Sequence, residues 1–110
     1  PYMDDPEPNY AKLYSDSIVA SFRMEDRMKK HGLHSDCDVW LWMEIDFKVK
    51  IHNGNGVKRL NCDMDARLLR RILDKKISWN SAEIGCHVSY YRKPNDYDIA
   101  LHTGLTLFHL

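Results

Sequence analysis

The chain has 110 residues, which is the size of one domain with a single hydrophobic core. Sixteen Lys and Arg residues balance sixteen Asp and Glu residues, so no overall charge favours binding to nucleic acid, and we expect no nucleic-acid partner. Three cysteines, Cys37, Cys62 and Cys86, form neither a C-x-x-C pair nor an even set for disulfides, which predicts free thiols and a cytoplasmic location.

Residues 1–8 are predicted to be a linker, because Pro6 and Pro8 interrupt any regular element. This segment is acidic instead of basic and then apolar, so it is unlike a signal peptide. No apolar run in the chain is long enough for a membrane span. The chain begins at Pro1 without an initiator methionine, which leads us to expect a piece of a longer protein. Residues 9–110 are then predicted to form a single α+β domain.

A helix is predicted from Asn9 to about Lys30, because apolar residues recur there at steps of three and four. Asn9 is the predicted N-cap, and Gly32 is predicted to end the helix. The apolar positions are Tyr10, Leu13, Tyr14, Ile18, Phe22 and Met28. We expect this apolar face to lie across a sheet.

His31, His34 and Asp36 follow the helix, and imidazole and carboxylate groups are good ligands for zinc or iron. Such residues are also common in polar connections that bind no metal. We therefore predict no metal site in this segment.

Alternating apolar and polar residues predict one long strand from Val39 to Ile51. Trp40 and Trp42 lie on its otherwise polar side. This placement predicts that the start of the strand is covered on both faces, by the N-terminal helix or by another domain. Trp40 and Trp42 are therefore the predicted interface residues.

Two Asn-Gly dipeptides within residues 52–56 predict a tight hairpin, followed by an antiparallel strand over residues 57–64. Asp63 or Asp65 is then predicted to cap a second helix. The apolar stripe of that helix is Leu68, Leu69, Ile72 and Leu73. Arginines and lysines line its other side, as a solvated face or, in a less favoured alternative, as a phosphate-binding strip.

A short segment over residues 77–85 leads to a predicted strand from Cys86 to Arg92, and a last helix is predicted from Asp96 to His109. The order is helix, strand, strand, helix, turn, strand, helix. It predicts an α+β fold with an antiparallel or mixed sheet of three to five strands and helices packed on one face.

Trp79, Asn80, Glu83 and His87 bring an indole, an amide, a carboxylate and an imidazole together within nine residues. Such a set can orient a polar ligand over the indole or serve acid–base chemistry, so these four are the predicted ligand-binding residues. The structural alternative is that Trp79 anchors a turn in the core, Asn80 caps it, Glu83 supports the cap and His87 faces solvent. No established catalytic motif is present, and we predict no catalytic residue in the chain.

The segment around Trp79 resembles the C-terminal accessory domain of metallo-β-lactamase-fold proteins, in which a helix D-x-x-L-L-x-x-L-L precedes W-N-x-A-E-I-G. The matching residues are Asp65, Leu68, Leu69, Ile72, Leu73, Trp79, Asn80, Ala82, Glu83, Ile84 and Gly85. Residues 91–95 and the closing helix are similar to the same family, including its branch of CMP-N-acetylneuraminate hydroxylases. The order of the elements also resembles the sterol carrier protein type 2 (SCP2) fold.

The resemblance implies a non-catalytic accessory domain of a larger metal-dependent hydrolase or oxygenase, which helps to form the substrate cleft or an interface. The family's metal motif H-x-H-x-D-H is absent, since residues 31–36 have the wrong spacing. The resemblance therefore implies a metal ion in an upstream catalytic domain, which is the expected partner, and no cofactor in this chain.

The second hypothesis is a free-standing carrier or binding module for a small apolar or amphipathic ligand held between the helices and the sheet. Its aromatic lining would come from Tyr14, Phe22, Phe47, Tyr90 and Phe108. A homo-oligomer is a further partnership compatible with the sequence.

Overall fold

The computed structural model describes residues 2–43, 47–85, 87–94 and 98–108. It shows an α+β fold with a four-stranded mixed sheet and helices, which confirms the predicted fold class. After a 3-10 turn (Tyr2–Asp4), the elements are α1 (Tyr10–Lys30), β1 (Cys37–Trp42), β2 (Lys48–His52), β3 (Lys58–Asp63), α2 (Ala66–Leu73), α3 (Trp79–Ile84), β4 (Ser89–Lys93) and α4 (Ile99–Leu105).

The strands lie in the order β2-β1-β3-β4. β1 pairs antiparallel with β2 and parallel with β3, and β3 pairs antiparallel with β4. One row of residues crosses the whole sheet: Trp40 lies opposite Lys50 on one side and Asn61 on the other, and Asn61 lies opposite Tyr91. These side chains share one face because residues paired across strands point the same way.

The single long strand predicted from Val39 to Ile51 is wrong. β1 ends at Trp42 and β2 begins at Lys48, and the two strands pair antiparallel. Residues 44–46 of that prediction lie outside the described residues. Both arms keep the same alternation of faces, so a period of two does not distinguish one long strand from a hairpin.

The tight hairpin predicted at residues 52–56 is also wrong, because β1 lies between β2 and β3 in the sheet. The connection passes the start of β1 instead, where Gly54 N donates to Asp38 Oδ1 across 2.6 Å. A Cβ atom on Gly54 would lie 2.0 Å from the carbonyl oxygen of Asp36. This close backbone approach, and not a two-residue turn, requires the glycine.

α1 starts as predicted, since the Asn9 side chain accepts a hydrogen bond from Lys12 N at 3.0 Å. Its buried residues are Leu13, Ser17, Ala20, Ser21, Met24 and Met28. Two predicted core positions are wrong: Tyr14 is exposed and Phe22 is 70% exposed. The buried stripe lies to one side of the predicted one and includes two serines, which no apolar pattern reveals.

α2 starts at the predicted cap, with Asp65 accepting from Arg67 N at 2.8 Å. Its residues Leu68, Leu69 and Ile72 are fully buried, as predicted. The segment before α1 lies against this helix: Arg67 donates to Met3 O, at 2.7 Å. The assignment of residues 1–8 as a linker stays a prediction.

α3 is capped by Ser78, whose Oγ accepts from Ser81 N at 3.0 Å, so the expected cap at Asn80 is wrong. α4 is capped by Asp98, which accepts from Leu101 N at 2.9 Å. The predicted cap Asp96 and the predicted end His109 lie outside the described residues.

Candidate functional site

The structure separates the four predicted ligand-binding residues. Trp79 is 0% exposed and packs edge-to-face on Phe108, with the ring centroids 5.9 Å apart. Asn80 and His87 are exposed, and His87 Nδ1 lies 3.4 Å from the Tyr2 hydroxyl. The Trp79 ring therefore has no surface open to solvent, which agrees with its predicted role as a core anchor.

Two of the four, Trp79 and Glu83, belong to one hydrogen-bonded chain. Trp79 Nε1 donates to the Tyr90 hydroxyl across 3.0 Å, and that hydroxyl donates to Glu83 Oε2. The other carboxylate oxygen of Glu83 lies 3.2 Å from His102 Nε2. An indole N–H can only donate, so Tyr90 accepts from Trp79 and gives its own proton to the carboxylate.

Sequence reasoning missed Tyr90 and His102 as members of this chain. They belong to β4 and α4, whereas Trp79 and Glu83 lie on α3. No spacing rule connects residues that meet only through the tertiary fold. The one sequence signal was that a buried Trp needs an acceptor for its N–H.

The hydroxyl group of Tyr90 and the thiol groups of Cys37 and Cys62 are held in their protonated forms. Burial, and then the hydrogen bond to Glu83, raises the pKa of Tyr90 above its usual range. Burial raises the pKa of Cys37 to about 11, and it raises that of Cys62 as well. At neutral pH none of the three supplies an anionic base or nucleophile.

A pocket of about 280 Å³ opens beside this hydrogen-bonded chain, between α4 and the face of β3 and β4 that the helices cover, here called the helical face. We call it the α4 pocket. It is lined by Cys37, Lys58, Arg59, Leu60, Tyr90, Arg92, Lys93, Pro94, Asp98, Ile99, Leu101, His102 and Leu105. Tyr90 and His102 thus belong both to the hydrogen-bonded chain and to the pocket wall.

The opposite face of the sheet carries the two predicted interface residues, and we call it the open sheet face. It comprises Asp38, Trp40, Trp42, Lys48, Lys50, Arg59, Asn61, Asp63, Ser89, Tyr91 and Lys93. Along β1 these positions are half-buried, whereas the alternate positions are buried under the helices. The expected cover by the N-terminal helix is wrong, because α1 packs on the other face of β2.

Cationic side chains lie over both indoles of the open sheet face. Lys48 Nζ lies 5.1 Å from the ring centroids of Trp40 and Trp42, and Arg59 Cζ lies 5.6 Å from each. Lys50 Nζ lies 5.7 Å from the Trp40 ring and 3.4 Å from Asp38 Oδ1. Cation–π contacts of this kind hold the indoles in place while the outer rim stays polar.

The arginines of α2 do not form a free phosphate-binding strip. Each of them forms an ion pair with a carboxylate at 2.6–2.9 Å. The pairs are Arg67 with Asp65, Arg70 with Asp16 and Asp74, and Arg71 with Asp5. The positive charge of this helix face is therefore largely neutralised within the fold.

The described residues contain no group of three His, Cys, Asp or Glu side chains placed to hold a metal ion. His31 and His34 are exposed, and Asp36 lies 3.5 Å from Lys58 Nζ. These residues do not fit the metal site of the family that the sequence resembles. None of the described helices combines the length and apolar character needed to cross a membrane.

Comparison with known proteins gives no match: no protein-family model, no curated protein and no solved structure is similar enough to identify this chain. The resemblance to metallo-β-lactamase accessory domains and to the SCP2 fold therefore stays a prediction based on the segment around Trp79.

Proposed function

We propose that the chain is a non-catalytic accessory domain of a larger metallo-β-lactamase-fold hydrolase or oxygenase, and that the open sheet face packs against the catalytic part. The observation that carries the proposal is the pair of half-buried indoles, Trp40 and Trp42, on a sheet face that no described helix covers. The choice of family rests on the resemblance of residues 79–85 to the W-N-x-A-E-I-G segment of these proteins.

The composition of the open sheet face supports an interface with protein. Tryptophan, tyrosine and arginine dominate binding energy at protein interfaces, and this face presents two tryptophans, Tyr91 and Arg59. Tyr91 is 60% exposed, so its ring is available to a partner. Because the indoles lie on a central strand, the interface is rigid before contact, which reduces the entropy cost of binding.

The charge of this face favours an acidic partner surface. Its cations are Lys48, Lys50, Arg59 and Lys93, and its carboxylates are Asp38 and Asp63. The Gly54 backbone N–H, and then Lys50, holds the pKa of Asp38 below its usual range, so this carboxylate is ionised and already paired. Net positive charge remains for a complementary surface to neutralise.

The chemistry of the described residues favours an accessory role over a catalytic one. The protonated thiols and the protonated Tyr90 lack the reactivity of catalytic groups. In this proposal the metal ion belongs to the upstream catalytic domain, and residues 79–85 hold the domain's shape beside the substrate cleft. The free buried thiols Cys37 and Cys62 support a cytoplasmic location.

The test is the size and sequence of the native polypeptide. Antibodies raised against this chain should recover from its source a larger polypeptide, whose additional peptides contain the H-x-H-x-D-H metal motif. Mass spectrometry of the recovered polypeptide decides the question. A native polypeptide without that motif would reject the proposed family and partner.

A further inference from the structure

We infer that the α4 pocket binds a small amphipathic anion, with an apolar body on its leucine floor and a charged head at its cationic rim. This inference does not rest on the proposed docking of the open sheet face, because the pocket lies on the side of the sheet that the helices cover and shares only Arg59 and Lys93 with that face.

The floor of the pocket is apolar. Leu60 from β3 and Leu101 and Leu105 from α4 line its inner end, where only the edges of these buried side chains reach the pocket. Ile99, on the first turn of α4, is 71% exposed at the rim. A concave site with an apolar floor and a few polar groups is the usual form of a small-molecule site.

The charges at the rim favour an anion. Lys58 and Arg92 project from the helical face of β3 and β4, and the Arg92 guanidinium lies 5.3 Å above the Tyr90 ring. The lining carboxylate, Asp98, accepts hydrogen bonds from Ser35 Oγ at 2.7 Å and from Leu101 N at 2.9 Å. Among the described lining residues the cations Lys58, Arg59, Arg92 and Lys93 outnumber the one carboxylate, so the balance of charge favours an anion.

The size of the pocket sets the size of the ligand. The pocket volume is about 280 Å³. At roughly 30 Å³ for each water-sized group, it encloses about nine non-hydrogen atoms. Octanoate is close to this size, with its carboxylate at the open rim, whereas a long-chain fatty acid would leave most of its tail outside.

The inner wall is held in place before a ligand arrives. Tyr90 is fixed between Trp79 and Glu83, and His102 is held against the same carboxylate. Fixed polar groups reduce the ordering cost of binding. Because Tyr90 keeps its proton and the Cys37 thiol is protonated at neutral pH, the pocket is suited to binding without reaction.

The test is a two-dimensional ¹H–¹⁵N NMR titration of the whole chain with sodium octanoate, 1-octanol and octylamine. Octanoate should shift amide signals clustered on residues 58–60, 90–94 and 98–105, and should bind about tenfold more tightly than octanol. Octylamine should bind most weakly. In Arg92→Gln, octanoate affinity should fall to about that of octanol, and octanol affinity should not change.

The matched control is Arg23→Gln, which removes an exposed arginine on α1 that does not line the pocket. It should leave octanoate binding unchanged. A second variant, Ile99→Trp, enlarges an exposed side chain at the rim and should weaken binding of both octanoate and octanol. Absence of shifts at the lining residues, equal binding of octylamine, or an equal loss of affinity in Arg23→Gln would overturn the inference, whether or not the proposed docking face is correct.

Discussion

The buried indole of Trp79 donates its N–H to the hydroxyl of Tyr90 across 3.0 Å, and this bond ties α3 to β4. Tyr90 in turn donates to Glu83, one turn further along α3. The two bonds close a loop between helix and strand. They place the Tyr90 ring at the wall of the α4 pocket, so the core anchor that the sequence predicted also shapes the candidate site.

Tyr90→Phe should lower the free energy of unfolding by about 1–3 kcal/mol, because it leaves the buried Trp79 N–H without its acceptor and removes the donor to Glu83. Urea unfolding followed by circular dichroism measures the change. Tyr91→Phe is the control, since Tyr91 is exposed on the opposite face. It should change the free energy of unfolding by less than about 0.5 kcal/mol. Equal stability of Tyr90→Phe and the unmodified chain would contradict the role given to this hydroxyl.

Trp40→Ser/Trp42→Ser should reduce self-association of the isolated chain, because the open sheet face lacks its proposed partner there and its indoles can bury against a second copy. Sedimentation velocity over a range of concentrations measures the effect. Phe22→Ser is the control, since it removes an exposed aromatic ring from α1 instead. A chain that is monomeric at every concentration would count against the docking face.

Binding of single-stranded nucleic acid to the open sheet face is the outcome that would oppose protein docking. Aromatic rings beside cations can stack bases, with an affinity that falls steeply with salt. We expect no such affinity for a mixed-sequence oligonucleotide. Binding that quenches tryptophan fluorescence and is lost in Trp40→Ser/Trp42→Ser would assign the face to nucleic acid and reject protein docking.

The helix starts could be predicted because capping is local. Asn9 and Asp65 each accept a hydrogen bond from a backbone N–H two or three residues later, and the sequence shows both partners. The order of the strands could not be predicted. β1 and β2 show the same period-two pattern, so the pattern does not reveal that they are two strands. The Asn-Gly dipeptide at Gly54 is typical of a turn, but the glycine is needed because the backbone of Asp36 passes close to it.

The candidate site was predicted only in part. Burial of Trp79 follows from its place between two amphipathic segments, and the position of Trp40 and Trp42 on the otherwise polar side of the strand follows from strand alternation. The α4 pocket did not follow, because its walls come from β3, β4 and α4, and only the fold brings these elements together. Sequence spacing carries information within an element, whereas pockets form between elements.

Cys37 and Cys62 should resist alkylation by iodoacetamide at pH 8 in the folded chain. Burial raises the pKa of Cys37 to about 11 and raises that of Cys62, so little thiolate is present at that pH, and the sulfur atoms are also shielded. Peptide mass spectrometry after timed labelling measures each site separately. In urea both should react quickly. Labelling of either site at the same rate with and without urea would contradict the burial of that thiol.

Stability should fall as the pH is lowered below about 4, in part through Asp65. The Arg67 side chain, and then the backbone N–H of Arg67, holds the pKa of Asp65 below its usual range. Because the unfolded chain binds a proton at Asp65 at higher pH than the folded chain, this stabilisation is complete above the unfolded pKa of roughly 3.9. It is lost as the pH falls through the folded value.

Asp65→Asn isolates this contribution, since asparagine also caps helices but carries no charge for Arg67. The variant should be less stable than the unmodified chain by up to about 1 kcal/mol at pH 7, and the two should become equal near pH 2. Urea midpoints across this pH range measure the difference. A difference that grows as the pH falls would show that the sign of the effect is wrong.

Both nitrogens of the buried His52 ring face oxygen atoms that accept hydrogen bonds. Nδ1 contacts the carboxylate of Glu25 on α1, and Nε2 lies 2.9 Å from the carbonyl oxygen of Ser35. A carbonyl can only accept, so Nε2 carries a proton, and the partner of Nδ1 then decides whether both ring nitrogens have a hydrogen-bond partner.

Glu25→Gln keeps a partner for Nδ1, because its amide can donate to that nitrogen. Glu25→Ala leaves Nδ1 without this partner at a site where the ring is 7% exposed. Glu25→Ala should therefore lower the free energy of unfolding by about 1–3 kcal/mol, and Glu25→Gln by clearly less. Urea unfolding at pH 7 compares the two, and equal losses would mean that the contact to His52 contributes little to holding α1 on β2.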